Sequence, residues 1–320
     1  MASRESNIPP SLTARQFEGE NDLREMQNLL MRARSLTSDW RYAHIGELNF
    51  QFLMNAAHLD PKETIRLWHD GDLLVGYAIL GEDPSFDVQM LPEYEWRGIE
   101  DAAMAWAVER VRILRPRYAN AFGGRWASGS REDDPQRRAF LERHGFAAGG
   151  EFSEFNLIRT LEGEIPAPVL PPGWRVRGYR GREELTMRAE AQRDVWRPWS
   201  VGNITDGDYA TLTSLPGYDP ELDVVAVSPD GVIAAYANGW PDPVNRIGDF
   251  GPVGTRPAYR RQGLARAVLW ESLRRMKERG MDRVCVSTGM KNDSAIRLYE
   301  SVGFRIANKY LEYIRPSENG

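Results

Sequence analysis

The sequence predicts an α/β protein made of two similar halves, and three observations support this fold class. Residues 248–266, GDFGPVGTRPAYRRQGLAR, are typical of a strand, a glycine turn and a helix. A matching proline, tyrosine and glycine pattern occurs in the first half, and a proline-rich segment separates the halves. A chain of 320 residues is long enough to bury two domain cores.

The central stretch has the features of an anion site. Its strand ends before Pro257, and its helix opens at Gly263 and Ala265, whose small side chains let a ligand approach the backbone. Free amides of the first helical turn favour an anion. The pattern matches neither GxGxxG nor GxxxxGK[ST], so both nucleotide fingerprints are excluded here. Three cations flank this turn: Arg260, Arg261 and Arg266.

The segment after this helix completes a β-α-β-α order. DRVCVSTG alternates Val284 and Val286 with polar positions, which predicts a strand. A second helix follows, with Asn292, Tyr299 and Gly303 at regular spacing. A right-handed crossover places the glycine turn at the carboxyl ends of the strands, where open α/β sheets bind ligands.

These combined motifs resemble the GNAT superfamily of N-acetyltransferases, over roughly Trp174 to Arg315. The resemblance implies two tandem GNAT-like domains, each with a mixed, mostly antiparallel twisted sheet flanked by helices. It also implies acetyl-CoA as cosubstrate, with a β-α-β core that binds the coenzyme. Pro252 departs from the expected strand because it lacks an amide donor. The coenzyme-binding positions implied by the resemblance are Val253, Gly254, Thr255, Arg260, Arg261, Gln262, Gly263, Leu264, Ala265, Arg266 and Asn292.

Acetyl transfer from a thioester to an amine needs a base, a stabilised oxyanion and an acid for the thiolate. The resemblance implies that Tyr299 lies beside the coenzyme sulfur as the acid, and the alternative is a tyrosine packed on the sheet. Helical spacing allows Asn292 and Tyr299 to face one cleft. Asp249 is the candidate base because it begins the strand of the central stretch, and a solvated strand-start residue is the equal alternative. Glu221 and Asp208 are weaker candidates.

The acceptor is expected to be a small-molecule amine, contacted by residues 196–218 and 239–246. Carboxylates there would favour a cationic amine, and aromatic faces would hold it. The alternatives are that the aspartates serve as turn and cap residues and that each aromatic side chain belongs to the core. The carboxylates are Asp206, Asp208, Asp219 and Asp242, and the aromatic residues are Trp196, Trp199, Tyr209, Tyr236 and Trp240.

Composition limits the partners and the compartment. A net charge of −5 indicates no nucleic-acid partner, and the histidines match no zinc spacing, so we expect no metal. The apolar runs are short and the N-terminal MASRESNIPPSL lacks an apolar core, which predicts a cytoplasmic protein without membrane association. Cys285, the single cysteine, is expected to be a packed core thiol. We expect a monomer or a homodimer.

The first half is interpreted as a degenerate copy of the second. Pro92, Tyr94 and Gly98 repeat the spacing of Pro257, Tyr259 and Gly263, which predicts a tandem duplication. We therefore predict an N-terminal GNAT-like domain over residues 1–162, a proline-rich linker over 163–173 and a catalytic domain over 174–320.

Four substitutions distinguish the first copy from the second. Glu95 replaces Arg260, Glu100 replaces Ala265, Asp134 replaces Asn292 and Leu141 replaces Tyr299. Carboxylates at the turn would repel a pyrophosphate, so the first copy is predicted to be structural.

The leading functional prediction is an acetyl-CoA-dependent N-acetyltransferase with an active C-terminal domain. A non-catalytic acyl-CoA sensor is the first alternative. It would need the anion site but not Tyr299 and Asn292, so the presence of both residues favours catalysis. Protein acetylation is a further alternative, which requires an acidic groove for lysine-bearing tails.

Overall fold

The computed structural model describes residues 12–37, 41–82, 85–122, 125–149, 153–197 and 203–316. The N-terminal residues 1–11 and Trp199 therefore lie outside the described residues. Contacts divide the chain into two compact units. The first unit comprises Met1–His44, Asn55–Ser153 and Tyr310–Gly320. The second unit comprises Ile45–Met54 and Glu154–Lys309.

Each compact unit contains a segment from the other half of the sequence. A strand over Glu154–Thr160, which precedes the proline-rich segment, belongs to the second unit. The end of the chain, from Tyr310, belongs to the first unit. The division at residues 162 and 174 concerns the duplicated copies, and it stays a prediction.

The first unit begins with an antiparallel sheet in the order β1-β2-β3-β4. The turn Pro92–Tyr94 follows this sheet and leads into helix α4, as the repeat predicts. Two short strands, β5 and β6, pair with the end of the last strand of the chain. The elements in the first half of the chain are β1 (Leu12–Gln16), α1 (Glu20–Thr37), α2 (Ile45–Ala56), α3 (Pro61–Thr64), β2 (Ile65–Asp70), β3 (Leu73–Leu80), β4 (Phe86–Met90), α4 (Ile99–Leu114), α5 (Ala119–Phe122), β5 (Trp126–Arg131), α6 (Pro135–Arg143) and β6 (Ala147–Ala148).

The second unit follows the predicted order closely. The Ser228–Gly231 turn joins β9 and β10 as an antiparallel hairpin, and the crossover helix α9 lies between β11 and β12. The elements from residue 154 onward are β7 (Glu154–Thr160), β8 (Arg175–Gly178), α7 (Leu185–Trp196), α8 (Asp206–Leu212), β9 (Asp223–Val227), β10 (Ile233–Asp242), β11 (Ile247–Thr255), α9 (Leu264–Glu278), β12 (Arg283–Gly289), α10 (Asp293–Ser301) and β13 (Arg305–Arg315).

Within the second unit the sheet runs in the order β7-β12-β11-β10-β9-β8. The pair β11 and β12 is parallel, and the other neighbours in this order are antiparallel. The predicted mixed, mostly antiparallel sheet is therefore confirmed. Among the described helices, none is long and apolar enough to cross a bilayer.

Helix α9 covers one face of this sheet because its apolar side chains recur at helical spacing. Val268, Leu273 and Met276 are fully buried and pack with Val284 and Val286 of β12. Helix α7 covers the other face, where Ala191 and Val195 pack on Val225 and Tyr236. The sheet is thus buried on both sides, as the near-continuous apolar runs of β9 and β10 require.

A buried ion pair lies under helix α7. Arg188 and Asp223 are both 0% exposed, and Arg188 Nε donates to the two carboxylate oxygens at 3.1 and 3.2 Å. The guanidinium carbon lies 3.7 Å from the ring centroid of Tyr236 and 4.9 Å from that of Tyr209. The hydroxyl of Tyr218 donates to Asp223 at 3.1 Å. Each charge is therefore paired and enclosed by aromatic side chains, which a buried charge requires.

We expect Asp223→Ala to destabilise the protein by about 3–5 kcal/mol, because Arg188 would stay buried without its counter-ion. Urea denaturation followed by circular dichroism measures this change. Asp230→Ala, at an exposed position of the β9–β10 turn, is the control and should change stability by less than about 0.5 kcal/mol. Equal effects of the two substitutions would contradict this account of the ion pair.

Candidate active site

Strands β11 and β12 separate after a short parallel contact. Their pairing joins Ile247–Asp249 to Arg283–Cys285, while β11 continues to Thr255 and β12 to Gly289. Pro252 lies in the separated part and has no amide to donate. A register shift between Ala237 and Gly239 of β10 bends β11 at the same place. The two strands therefore splay apart toward their carboxyl ends and leave a gap in the sheet.

The floor of this gap is closely packed beneath Gly254. A Cβ atom at this position would lie 2.6 Å from Val195 Cγ1 and 2.9 Å from the hydroxyl oxygen of Tyr236. That hydroxyl accepts a hydrogen bond from Trp196 Nε1 at 2.9 Å. Glycine is therefore required at position 254 for packing, and the neighbouring Val253 and Thr255 stay only partly buried.

The turn at the end of β11 is open to an anion. Arg261 and Gly263 adopt positive φ values of 64° and 80°, and Gly263 begins α9 without a side-chain cap. A Cβ atom at Gly263 would meet no atom within 4 Å. The first amides of a 15-residue helix therefore face open space, and the helix dipole favours a negative charge there. We call residues 257–265 the anion turn.

The predicted coenzyme positions of the anion turn differ in exposure. Arg260 Nε donates to the Thr255 carbonyl at 3.2 Å, which orients its guanidinium along the turn. Exposed side chains that remain available to a ligand are Arg261, Gln262 and Arg266. Leu264 is 1% exposed and belongs to the core, so only its backbone can contact a ligand.

Tyr299 of α10 is buried and its hydroxyl has no hydrogen-bond partner among the described residues. It is 6% exposed and packs edge-on against Phe304, with ring centroids 5.8 Å apart. Burial raises the pKa of Tyr299, and the nearby Asp249 and Tyr236 raise it further. The structure therefore brings Tyr299 and Asp249 within electrostatic range of each other, and keeps the phenol protonated at neutral pH.

Asp249 lies where the two strands begin to separate. It is 4% exposed and pairs with Trp240 of β10 and Cys285 of β12. The thiol of Cys285 is 3.4 Å from Asp249 Oδ1 and 3.3 Å from the Gly248 carbonyl oxygen. Cys285 is thus a packed thiol, as predicted, and it contacts the candidate base. Asp249 is not the solvated residue of the alternative interpretation.

Asn292 is the N-cap of α10 and is exposed. Its side-chain oxygen accepts from the Ala295 amide at 3.2 Å and from the Ser294 hydroxyl at 2.9 Å. Tyr299 lies seven positions further along, a rise of about 10 Å and nearly two helical turns. The two residues therefore lie on one side of α10, two turns apart, and coenzyme binding by Asn292 stays a prediction.

The weaker base candidates serve structural roles. Glu221 forms an ion pair with Arg275, and Asp208 forms a capping box with Thr205 at the start of α8. The other predicted acceptor-side aspartates are likewise engaged with the protein itself. Asp206 bonds Thr186 and Arg193, Asp219 bonds Arg279, and Asp242 bonds Asn245. Their interpretation as turn and cap residues therefore fits, and they are no evidence for a cationic acceptor.

The aromatic residues predicted near the acceptor are mainly core residues. Tyr209, Tyr236 and Trp240 are each 0% exposed, and the first two enclose Arg188. Trp196 is partly buried and bonds Tyr236. Tyr209 and Tyr236 contact a cation of the protein itself, and Trp240 donates to the Gly251 carbonyl. The number of aromatic residues in the sequence therefore does not indicate an aromatic ligand pocket.

Glu154 is a candidate site residue that the sequence analysis did not identify. It lies opposite Gly289 at the end of the β7–β12 pair, and Asn156 lies opposite Ser287. Alternation along the strands places Glu154 on the same sheet face as Cys285 and Asp249. Burial raises its pKa to about 7, and the carboxylate of Glu47 on α2 adds to this shift. Only strand register brings this residue to the face of Asp249, so local sequence offers no signal for it.

Comparison with known proteins agrees with the fold. Residues 189–304 match the family described as "Acetyltransferase (GNAT) family", a range that contains the splayed strands, the anion turn and Tyr299. The chain belongs to the GNAT family of acetyltransferases, and it is therefore an acetyltransferase enzyme.

Among individual proteins, the chain is similar to two mycothiol acetyltransferases. The one from Thermobispora bispora is 30% identical, over 81% of this chain and 86% of that protein. The one from Kineococcus radiotolerans is also 30% identical, over 77% of this chain and 79% of that protein.

Two solved structures share the fold over nearly the whole chain. The GCN5-related N-acetyltransferase from Sphaerobacter thermophilus has a TM-score of 0.65 and 21% identity, and it covers 98% of each chain. A tandem GNAT protein from the clavulanic acid biosynthesis pathway has a TM-score of 0.64 and 14% identity, and covers 97% of this chain and 99% of that chain. The predicted tandem GNAT fold is confirmed.

We expect Glu154→Gln to change how stability depends on pH. The pKa of Glu154 is about 7 in the folded protein and 4.5 in an unfolded chain. Between these values the folded state holds a proton that the unfolded state has lost, so stability falls as pH rises. Glutamine stays neutral at every pH, so the variant does not lose stability in this way. The free energy of unfolding of the variant minus that of the parent should therefore rise by about 1–3 kcal/mol from pH 4.5 to 7 and then level off.

Urea denaturation across this pH range measures the difference, and the exposed Glu162→Gln is the control. A difference for Glu154→Gln that stays constant with pH would contradict the raised pKa.

Proposed function

We propose that the protein is an acetyl-CoA-dependent N-acetyltransferase whose second unit carries the active site, while the first unit has a structural role. The observation that supports this proposal most strongly is the open anion turn at the mouth of the splayed strands β11 and β12. A ligand with a phosphate group at the turn can extend an arm along the unpaired edge of β11. Acetyl-CoA has this shape and supplies an activated thioester.

Different residues of the second unit bind different parts of such a cosubstrate. The amides of the anion turn, with Arg261 and Arg266, bind the pyrophosphate. Backbone groups of Val253 and Thr255 face the gap left by β12 and pair with the pantetheine arm. Gly254 keeps this edge close to the buried Tyr236, so the arm rests on a rigid floor.

Two side chains move the protons. Asp249 accepts a proton from the acceptor ammonium, directly or through a water, which leaves a neutral nitrogen with a free electron pair. As the C–N bond forms and the C–S bond breaks, Tyr299 donates its proton to the departing sulfur. Burial favours this role because it holds the phenol in its protonated form, and no described residue hydrogen-bonds its hydroxyl. Proton return from Asp249 to Tyr299 restores both groups.

The acceptor is proposed to be a small amine. Asp249 and Glu154 lie on one face of the sheet, opposite the face covered by α9, and an amine bound there reaches the gap between the strands. The relatives are named mycothiol acetyltransferases, so mycothiol-related amines are one group of acceptors to test.

We expect Tyr299→Phe to lower kcat by about 100-fold or more with little change in the affinity for acetyl-CoA, because only proton donation is lost. Single-turnover kinetics and calorimetry measure the two quantities separately. Tyr118→Phe, in the first unit, is a matched control and should leave both unchanged. Parental turnover by Tyr299→Phe would show that Tyr299 is a packing residue and that water is the acid.

A screen of amines with acetyl-CoA, read as release of free thiol, tests the function itself. We expect activity with at least one small amine among polyamines, aminoglycosides, amino acids and mycothiol-related amines. Activity confined to lysine peptides would indicate protein acetylation instead. Tight coenzyme binding without turnover of any amine would favour the acyl-CoA sensor.

A further inference from the structure

The first unit contains a second copy of the anion turn with nearly the same backbone. Residues 92–100, here called the upstream turn, begin with a short 3₁₀ turn at Pro92–Tyr94, as the anion turn does at Pro257–Tyr259. Trp96 and Gly98 adopt positive φ values of 59° and 102°, where Arg261 and Gly263 adopt 64° and 80°. Both turns lead directly into a long helix whose N-cap glycine has no side-chain cap.

The upstream turn differs because a side chain already occupies it. Glu100 Oε1 accepts a hydrogen bond from the Trp96 amide at 2.5 Å. The equivalent residue in the anion turn is Ala265, whose side chain ends at Cβ, and no described residue accepts from the Arg261 amide. Glu100 is 4% exposed and lies in the first turn of α4. Burial raises the pKa of its carboxyl, while the Trp96 amide and the helix dipole favour the charged form. An internal carboxylate thus takes the place that the anion turn leaves open.

The residues around the upstream turn fit this closed state. Glu95, at the position of Arg260, accepts from the hydroxyl of Tyr42 and lies 3.5 Å from Arg41, so it has partners within the protein. Asp101, at the position of Arg266, bonds Arg143 and His144, each at 2.8 Å. The upstream turn therefore keeps the backbone of an anion site but lacks cations at the positions of Arg260, Arg261 and Arg266. Its one arginine, Arg97, lies at the position of Gln262.

We propose that Glu100 is an internal anion that closes the upstream turn to the pyrophosphate of acyl-CoA, and that the absence of such a group at Ala265 keeps the anion turn open. This inference rests on the proposed function for the role of the anion turn. It attributes the lack of coenzyme binding at the upstream turn to the hydrogen-bonded carboxylate of Glu100. The upstream turn would then bind phosphate once this carboxylate is removed.

Exchange of the two residues tests the proposal in the full chain, with coenzyme A as the calorimetric probe. We expect the parent to bind one equivalent. Ala265→Glu should weaken that binding at least 10-fold, because a carboxylate at this position reaches the Arg261 amide as Glu100 reaches that of Trp96. Glu100→Ala should gain a second, weaker equivalent. Glu100→Gln keeps the hydrogen-bond acceptor and should remain at one equivalent.

Each result bears on a separate claim. Unchanged binding by a folded Ala265→Glu would overturn the proposed role of Glu100. The same holds if a folded Glu100→Ala binds no second equivalent up to millimolar coenzyme A. If Glu100→Gln bound two equivalents, the charge of Glu100 and not its hydrogen bond to the Trp96 amide would explain why the parent does not bind there. No binding by the parent would instead overturn the proposed function. Melting temperatures establish that each variant is folded.

Discussion

The short parallel contact between β11 and β12 is the constraint on which the candidate site depends. Three residues of each strand pair, and the strands then diverge to leave a gap between two layers of helices. Unpaired backbone groups in a sheet interior are costly unless a partner replaces the missing strand. A ligand that runs along β11 in the gap would pair with these groups, as the proposed function requires. The anion turn lies at its mouth, and Asp249 lies where the gap begins.

The side of the sheet that faces α7 is stabilised by charge as well as by apolar packing. Arg188 and Asp223 form an ion pair between tyrosine rings, and Tyr236 of that group lies directly beneath Gly254. The position of β11 is thus linked to a buried polar cluster that tolerates little change. A rigid floor of this kind holds the edge of β11 in place, which positions reacting groups better than a mobile loop does.

The anion turn and the upstream turn share a backbone conformation but differ in what accepts from their amides. In the anion turn, amides and arginines stay available to a ligand, while in the upstream turn Glu100 satisfies an amide from within. The positive φ values at Trp96 and Gly98 match those at Arg261 and Gly263, so the two turns share a backbone conformation although their side chains differ. A buried carboxylate in place of a ligand preserves the turn at no loss of hydrogen bonding.

The sequence by itself determined the α/β class, the repeat, the hairpin of β9 and β10, and the position of the anion turn. Each depends on local signals, namely turn glycines, strand alternation and helical spacing. Tertiary structure alone decided which carboxylates form caps, turns and ion pairs within the protein. Asp206, Asp208, Asp219 and Asp242 look available in the sequence but are bound to caps, turns and arginines. Glu154 reaches the face of Asp249 through strand register, and the rings of Tyr209 and Tyr236 contact Arg188. Such partners are distant in sequence, and hydrogen bonding and burial between distant segments are set only when the chain folds.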